Sequence, residues 1–325
     1  MVSAPGPIAT RTSSPRPATW LPAFVALAAI WGSSFLFIKV GVRELHPIYL
    51  ALVRSAAGAA TLVAVLLVTR TRLPRDARLW GHLAIIALVG NVIPFTLFGY
   101  GEQRISSVLA GIWNGTTPLF VLLVAMVLLP EERPTRARIA GLLLGFAGVL
   151  VVLGVWRGVG GAELVGQLLC AVAAAGYGVA LPYTRRVLNT RTHPGVAIAA
   201  SQVLLATAQL AILAPLLAGR PPSPASLSPD VIASALALGA LGTGIGFWLY
   251  YRLIRVAGAT TTSTVTYLLP VFSTLLGILV LGEELHWYEP VGALVVLAGI
   301  AVSQSRARKP SARRPTRGGG RPARC

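Results

Sequence analysis

Two basic side chains, Lys39 and Arg54, interrupt stretches of sequence that are otherwise apolar. Ionised groups inside a helix that crosses a membrane are expensive, so they usually bind a substrate or pair with another charge. The first interpretation is that both residues contact an anion or the carboxylate of a substrate. The alternative is that Lys39 extends its amine to the polar boundary, while Arg54 forms a structural ion pair with Glu44 or Glu102. We favour the alternative for Lys39 and leave both interpretations of Arg54 open.

A second group of candidates lies on matching faces of two apolar segments that each contain a proline. The spacing i, i+3, i+4, i+7 and i+11 places each group on one side of a helix. Each proline also frees the backbone carbonyl four residues earlier, and a free carbonyl inside a membrane needs a partner. Because the faces recur, we interpret them as the polar lining of a central cavity; the alternative is tight packing of small residues against a neighbouring helix. The residues are Ser107, Ala110, Gly111, Asn114 and Pro118 in the first segment, and Ala259, Thr262, Ser263, Thr266 and Pro270 in the second.

Aromatic, amide and hydroxyl side chains on the predicted spans complete the candidate cavity. Trp side chains near the ends of spans are usually anchors at the membrane surface, and Trp20, Trp80, Trp156 and Trp287 fit that role. Trp31, Trp113 and Tyr267 lie deeper in their helices and are better candidates for contacting a substrate. The other cavity candidates on the predicted spans are Ser34, Asn91, Tyr177, Gln202 and Trp248.

Acids and histidines give weaker evidence for catalysis. The pairs Glu131-Glu132 and Glu283-Glu284 close apolar segments, where capping or solvation explains them better than acid-base chemistry. Glu102 is placed at the entrance to a span, so no buried carboxylate relay is expected. The alternative function is an intramembrane lipid-modifying enzyme that uses Glu102 and His46, and the lack of clustered His, Asp or Cys counts against it. No metal or other cofactor is predicted, because the four histidines, His46, His82, His193 and His286, lack metal-ligand spacing.

The elements that must position these residues are transmembrane helices. Hydrophobic residues make up 55% of the 325 residues, charged residues only 12%, and the mean hydropathy is +0.73. The apolar residues fall into ten runs of about 20, the length that a helix needs to cross the hydrocarbon core. The sequence therefore predicts an all-α polytopic membrane protein with ten transmembrane helices. The two cysteines, Cys170 and Cys325, do not suggest a disulfide framework.

The net charge of +18 is explained by membrane topology. With a cytoplasmic amino terminus, 22 of the 28 basic residues lie inside, four lie outside and two lie within spans. Positive charge is enriched in cytoplasmic loops, so both termini are predicted to be cytoplasmic, in a multi-pass protein of the cell membrane. The basic tail is expected to contact anionic lipid, and no nucleic-acid partner is predicted.

An internal repeat organises the chain. Pro118 aligns with Pro270 and Glu131-Glu132 with Glu283-Glu284 at a shift of 152 residues. Each copy contains five predicted spans, and an odd number of crossings makes the second copy inverted relative to the first. In the fifth span, Gly141, Gly145 and Gly148 form a small-residue stripe that allows another helix to approach closely. The predicted units are a disordered cytoplasmic amino terminus at 1–19, repeats at 20–155 and 164–304, a connecting loop at 156–163 and a basic disordered cytoplasmic tail at 305–325.

The ordered motifs resemble the EamA-type permeases of the drug/metabolite transporter superfamily. The similarity covers about residues 25 to 304 and includes the segment from Trp31 to Lys39, Pro47 followed by Arg54, and the prolines and paired glycines of both repeats. The resemblance implies ten helices around a central cavity and alternating-access export or uptake of small metabolites, amino-acid-like solutes or drugs. It also implies a small-molecule substrate, while coupling and direction stay open. We expect a monomer or a homodimer.

Overall fold

The computed structural model describes residues 17–128, 135–157, 161–188 and 193–304. Over these residues the chain forms ten long helices, four of them interrupted, two separate 3-10 turns at Val155–Arg157 and Pro224–Ser226, and no strand, which confirms the all-α fold. The pair Glu131-Glu132 and the basic tail lie outside the described residues. The helices are α1 (Pro17–Gly41), α2 (Pro47–Val68), α3 (Ala77–Glu102), α4 (Ser107–Leu128), α5 (Arg136–Val152), α6 (Gly161–Leu188), α7 (Gly195–Ala218), α8 (Pro229–Ala257), α9 (Ala259–Ser263, Thr264–Tyr267 and Leu269–Leu281) and α10 (Tyr288–Gln304).

Eight of these helices are long and apolar enough to cross a membrane. The other two, α5 and α10, are 17 residues long, somewhat shorter than the typical spanning length. The protein is therefore a multi-pass membrane protein, and the number of ten crossings stays a prediction. Two boundaries differ from those expected: α1 begins at Pro17 and α6 at Gly161, so the described helices extend into the predicted amino-terminal segment and the connecting loop.

The helices alternate in direction. At one end of the bundle, which we call the Lys39 end, every odd-numbered helix ends and every even-numbered helix begins. Consequently α1 runs towards this end and α6 runs away from it, which is the relation that two inverted five-helix repeats require. The contacts that define the Lys39 end join Lys39 to Glu102 and Ile105, Glu283 to Ser107, Glu44 to Ser228, Tyr49 to Gly219, Trp156 to Trp287, and Gly166 to Arg104.

Four helices are interrupted, and the interruptions fall at equivalent places in the two halves. In α4 a turn at Thr116 separates Ser107–Gly115 from Thr117–Leu128, directly before Pro118. In α9 a 3-10 turn at Thr264–Tyr267 precedes Pro270. Helices α3 and α8 each contain a π-helical turn, at Leu88–Val92 and Leu238–Ile245. The interruptions expected from the two prolines are confirmed, whereas the π turns were not anticipated.

The glycine stripe of α5 packs against α10, its counterpart in the second repeat. A Cβ atom built on Gly148 would lie 2.6 Å from the Val296 nitrogen, and one built on Gly292 would lie 2.9 Å from the Gly148 carbonyl oxygen. Gly141 and Gly299 contact each other's backbone in the same reciprocal way. The two backbones therefore touch, as expected where glycines replace larger side chains between membrane helices.

Enlarging a glycine at this contact should destabilise the bundle. We expect Gly148→Leu to lower the free energy of unfolding by about 1–3 kcal/mol or more, because overpacking forces α5 and α10 apart. Gly81→Leu is the matched control, since a Cβ at Gly81 meets no atom within 4 Å. Thermal unfolding of the purified protein in detergent measures the difference. Equal midpoints for the two variants would contradict the packing described.

Candidate functional site

Two pairs of polar side chains lie in the centre of the bundle. The Nε atom of Arg54 on α2 donates to the Thr243 hydroxyl of α8 at 3.1 Å. The Nε2 atom of Gln202 on α7 donates to the Asn91 side-chain oxygen of α3. Each pair therefore joins a helix of the first half to a helix of the second. Polar contacts of this kind between membrane helices mark either a structural connection or a binding site.

The two pairs occupy corresponding positions in the repeat. Ser201-Gln202 aligns with Arg54-Ser55, and the Gly242-Thr243 segment aligns with Gly90-Asn91. Asn91 and Thr243 both lie in the π-helical turns of their helices. A π turn inserts an extra residue, leaves backbone groups less regularly bonded and is frequent at functional sites. We therefore take the region around these four side chains as the candidate site.

Arg54 carries the only permanent charge in this region of the described chain. It is 9% exposed, and its guanidinium carbon lies 3.6 Å from the centre of the Phe95 ring, a cation–π contact. Tyr177 and Glu102 are near enough to interact with it electrostatically, yet no carboxylate oxygen of a described residue forms an ion pair with it. Of the two acids that the structural alternative offered as partners, Glu44 binds the backbone and hydroxyl of Ser228 instead, and Glu102 lies near Arg54 without an ion pair.

The Lys39 side chain extends to the end of α3 and the loop that follows it, and the favoured interpretation, that its amine reaches the polar boundary, stays a prediction. Its ammonium group donates to the carbonyl oxygens of Glu102 at 2.6 Å and Ile105 at 2.7 Å. The Glu102 carbonyl belongs to the last residue of α3, where a helix leaves acceptors without partners and a negative dipole end, and the Ile105 carbonyl lies in the loop before α4. Lys39 therefore caps α3 across the bundle, and its role as an anion contact is untested.

Glu102 is more deeply buried than its position in the sequence suggested. Its residue is 0% exposed, and neither carboxyl oxygen has a hydrogen-bond partner among the described residues. The sequence placed Glu102 at the entrance to a span but did not predict this burial, and the expectation that no buried carboxylate relay exists stays untested. The physical reason is non-local: α1, α4 and α6 close around the end of α3, where Gly101 packs directly against Cys170 and Gly166.

Glu283 has a structural role at the same end. Its carboxylate accepts hydrogen bonds from the Ser107 nitrogen at 2.8 Å, the Ser107 hydroxyl at 2.7 Å and the Val108 nitrogen at 3.1 Å. These are the free donors at the start of α4, so Glu283 caps that helix from the other half of the chain. The capping interpretation is confirmed for Glu283.

The small-residue faces of α4 and α9 meet each other. Gly111 packs against Ser273, and Gly115 packs against Pro270 with a Cβ distance of 2.9 Å to the proline ring. Gly115 and Pro270 also line a small apolar crevice between α4, α9 and α10. In this conformation Gly111 and Pro270 pack tightly against a neighbouring helix, as the alternative to a cavity lining predicts. Asn114 is 8% exposed on the same face and is a better candidate for a polar lining.

The predicted aromatic residues are distributed over several contacts. Trp31 donates from Nε1 to the Gly242 carbonyl at 3.0 Å, within the π turn of α8. Trp113 is 1% exposed and donates to Gln167 on α6. Trp248 faces Arg252 on its own helix, at 5.5 Å. Of the aromatic candidates, Tyr177 lies near Arg54 at the candidate site, and Trp31 lies against the π turn that contains Thr243.

The remaining candidates lie at three places. Ser34 is buried against Gly242, and its hydroxyl donates within α1. Pro118 is half-buried next to the break in α4. Ser263 is exposed, and Thr266 and Tyr267 are half-buried in or beside the 3-10 turn of α9. Whether these residues line a cavity stays a prediction.

Sequence reasoning missed Thr243 and Phe95 as partners of Arg54. Thr243 could have been identified, because it aligns with Asn91 and the aligned residues of an inverted repeat face the same region. Phe95 carried no comparable signal, since an aromatic residue in an apolar helix usually only packs.

Comparisons with known proteins agree on one family. The sequence profile of the EamA-like transporter family matches residues 18–154 and 164–304. An "uncharacterized transporter" of Archaeoglobus fulgidus is 25% identical over 279 residues, covering 85% of this chain and 94% of that protein. The "uncharacterized inner membrane transporter YedA" of Escherichia coli is 28% identical over 291 residues, covering 87% and 90%. A protein of known crystal structure has a similar fold, with a TM-score of 0.62 at 24% identity, over 88% of this chain and 98% of that one.

Removing the Glu283 carboxylate should loosen the start of α4. We expect Glu283→Ala to lower the free energy of unfolding by about 1–3 kcal/mol, because it leaves three donors at the helix start without their charged acceptor. Glu284→Ala is the control, since the neighbouring Glu284 side chain is exposed. Thermal unfolding and hydrogen exchange at the Ser107 and Val108 amides measure the effect. Unchanged exchange at these two amides would contradict the cap.

Proposed function

Because the chain belongs to the EamA-like transporter family, we propose that it is a secondary transporter of small solutes that carry an anionic group, such as amino-acid-like metabolites. It is a membrane transporter by family, and its relatives are named as transporters. The proposal adds a substrate class and an alternating-access mechanism.

The observation that carries the substrate class is the state of Arg54. A guanidinium cannot lose its proton in a protein, so its charge must be balanced wherever it is buried. Here one of its donors is taken by a neutral hydroxyl, that of Thr243, and its flat face rests on Phe95. A solute carboxylate or phosphate matches the remaining donors in shape and charge. The neighbouring amides of Asn91 and Gln202 can contact the uncharged polar part of the same solute.

Alternating access is supported by the way the two halves are joined. At the Lys39 end, contacts between the halves include three between charged or polar groups: Glu283 with Ser107, Glu44 with Ser228, and Arg43 with Asp230 at 3.9 Å. When the halves separate, water can form hydrogen bonds with these polar and charged groups in place of the lost contacts. The interruptions before Pro118 and Pro270 lie on α4 and α9, which belong to different halves and pack against each other, so bending at these breaks can change access between the halves.

The proposal includes the location and orientation. The named inner-membrane relative supports the cell membrane, and the distribution of basic residues supports cytoplasmic termini, with the Lys39 end outside and the basic tail on anionic lipid. The transporter acts as a monomer or a homodimer. The glycine stripe of α5 is used within one chain, so it is not available as a surface between two copies.

The alternative of a lipid-modifying enzyme has less support. It assigned the chemistry to Glu102 and His46. In the structure His46 contacts the Tyr100 hydroxyl at 3.3 Å through Nε2, while the Glu102 carboxyl group lies buried without a hydrogen-bond partner in the described chain. The family and the names of the relatives favour transport over catalysis.

Transport should depend on the Arg54 charge. In liposomes containing the full-length protein, we expect exchange of at least one labelled solute from a panel of amino acids and small carboxylates. Arg54→Gln should reduce this exchange roughly thirtyfold or more, since removing one partner of a buried charge contact costs about 2–5 kcal/mol. Arg54→Lys should retain part of the activity, because it keeps the charge but loses the planar fork.

Arg252→Gln is the matched control, because Arg252 is an exposed arginine near the carboxyl-terminal end of α8. Its exchange rate should equal that of the wild type. The proposal is wrong if no solute of the panel is exchanged, and the anion-contact role of Arg54 is wrong if Arg54→Gln exchanges the same solute at the wild-type rate.

A further inference from the structure

The carboxyl group of Glu102 is a buried ionisable group that neither the packing of the bundle nor the proposed contact at Arg54 explains. Both of its oxygens are buried without a hydrogen-bond partner in the described part of the chain. Other acids at the Lys39 end are engaged: Glu283 caps α4, and Glu44 binds Ser228. Among the described residues, Glu102 is therefore a buried acid at this end whose side chain makes no structural bond.

Charged and titratable groups face Glu102 from several helices. The ones that interact with its charge are Lys39 on α1, Arg54 on α2, Cys170 on α6 and Glu283 after α9. Nearby in sequence, Tyr100 contacts His46, and the exposed Arg104 donates to the Tyr100 carbonyl. Tyr177 on α6 interacts with Arg54 and completes the set.

The two neighbouring cations do not satisfy the carboxyl group. The Lys39 ammonium group donates to the backbone carbonyl oxygens of Glu102 and Ile105. Arg54 donates to Thr243 and rests on Phe95. An ionised carboxylate that is buried away from solvent and has no hydrogen-bond donors would cost several kcal/mol. A carboxyl group in such a place takes up a proton instead of remaining ionised.

We propose that Glu102 is the proton-binding site that couples transport to proton movement. The site holds a proton while the Lys39 end is closed, as it is here. When the helices separate at that end, water reaches the carboxyl group, its O–H bond breaks, the proton passes to water, and the carboxylate that remains is stabilised by Lys39 and Arg54. Closing the end reverses the step, because the carboxylate takes a proton from water before it is buried again.

This inference rests on the proposed function for its coupling, but the protonation of Glu102 can be tested without a substrate. Infrared difference spectra of the full-length protein in lipid vesicles detect the carbonyl stretch of a protonated carboxyl group. At neutral pH we expect a band in the wild type that is lost in Glu102→Gln. Glu102→Asp should shift this band without abolishing it, which guards against a variant that does not fold.

Glu284→Gln is the control for the infrared measurement, because it removes one exposed carboxylate at the same end of the bundle. Its spectrum should keep the protonated band at wild-type intensity. If the wild type and Glu102→Gln have the same band intensity at neutral pH, Glu102 is ionised in the closed conformation and the inference is overturned.

Coupling is measured with a pH-sensitive dye inside the liposomes, while the same panel of amino acids and small carboxylates is added outside. With the wild type, entry of a transported solute should change the internal pH. With Glu102→Gln, exchange of labelled for unlabelled solute should continue, while the pH change falls by roughly tenfold. A pH change that persists in Glu102→Gln, or wild-type solute entry without a pH change, overturns the inference and leaves the proposed function standing. If no solute is transported but the infrared band still depends on Glu102, the proposed function fails while the proton site remains.

Discussion

A permanently charged guanidinium inside an apolar bundle is the constraint on which the arrangement of this protein depends. Arg54 is the eighth residue of α2, so its backbone lies about 10 Å from the start of that helix. Because the charge cannot be neutralised by loss of a proton, the surrounding helices must present dipoles and aromatic faces to it. Thr243 and Phe95 do so from α8 and α3. The placement of these two helices around α2 is therefore an electrostatic requirement as well as a packing solution.

Close approach of the backbones makes this placement feasible. Lipid is as apolar as a leucine side chain, so membrane helices gain little from burying hydrophobic surface against each other, and association relies on tight contact. At α2 and α8, a Cβ on Gly58 would lie 2.6 Å from the Thr243 side chain, and one on Gly239 would lie 2.6 Å from the Arg54 carbonyl. The π turn of α8 widens the helix at this point and directs Thr243 towards Arg54. Small residues and an irregular turn together bring the neutral partner to the charge.

Local features of the fold could be predicted from the sequence, because each depends on one segment. The apolar runs predict the helices, Pro118 and Pro270 predict the breaks in α4 and α9, and the α5 glycines predict a close neighbour. Non-local features could not be predicted. The Lys39 side chain finds carbonyls only because the end of α3 lies beside it, and the burial of Glu102 is produced by helices that are distant in sequence.

In the candidate site, too, the residues could be predicted from the sequence but their contacts could not. Arg54, Asn91 and Gln202 could be named from residue type and depth, because polar groups within a span are rare. Their pairing could not be predicted, since it requires knowing that α2 meets α8 and that α3 meets α7. Thr243 was overlooked because a threonine is common in membrane helices, and only its alignment with Asn91 would have drawn attention to it.

The repeat also explains how one half can carry a charge that the other lacks. Each polar pair at the candidate site combines one side chain from each half, Arg54 with Thr243 and Gln202 with Asn91. A substitution in one half therefore alters one pair and leaves the equivalent pair intact. Arg54 aligns with Ser201, and the amide in the second half is supplied by the next residue, Gln202, so the centre combines one cationic pair with one uncharged pair. In the proposed transporter, two pairs with different chemistry contact the two ends of an asymmetric solute, which a strictly symmetric site would not distinguish.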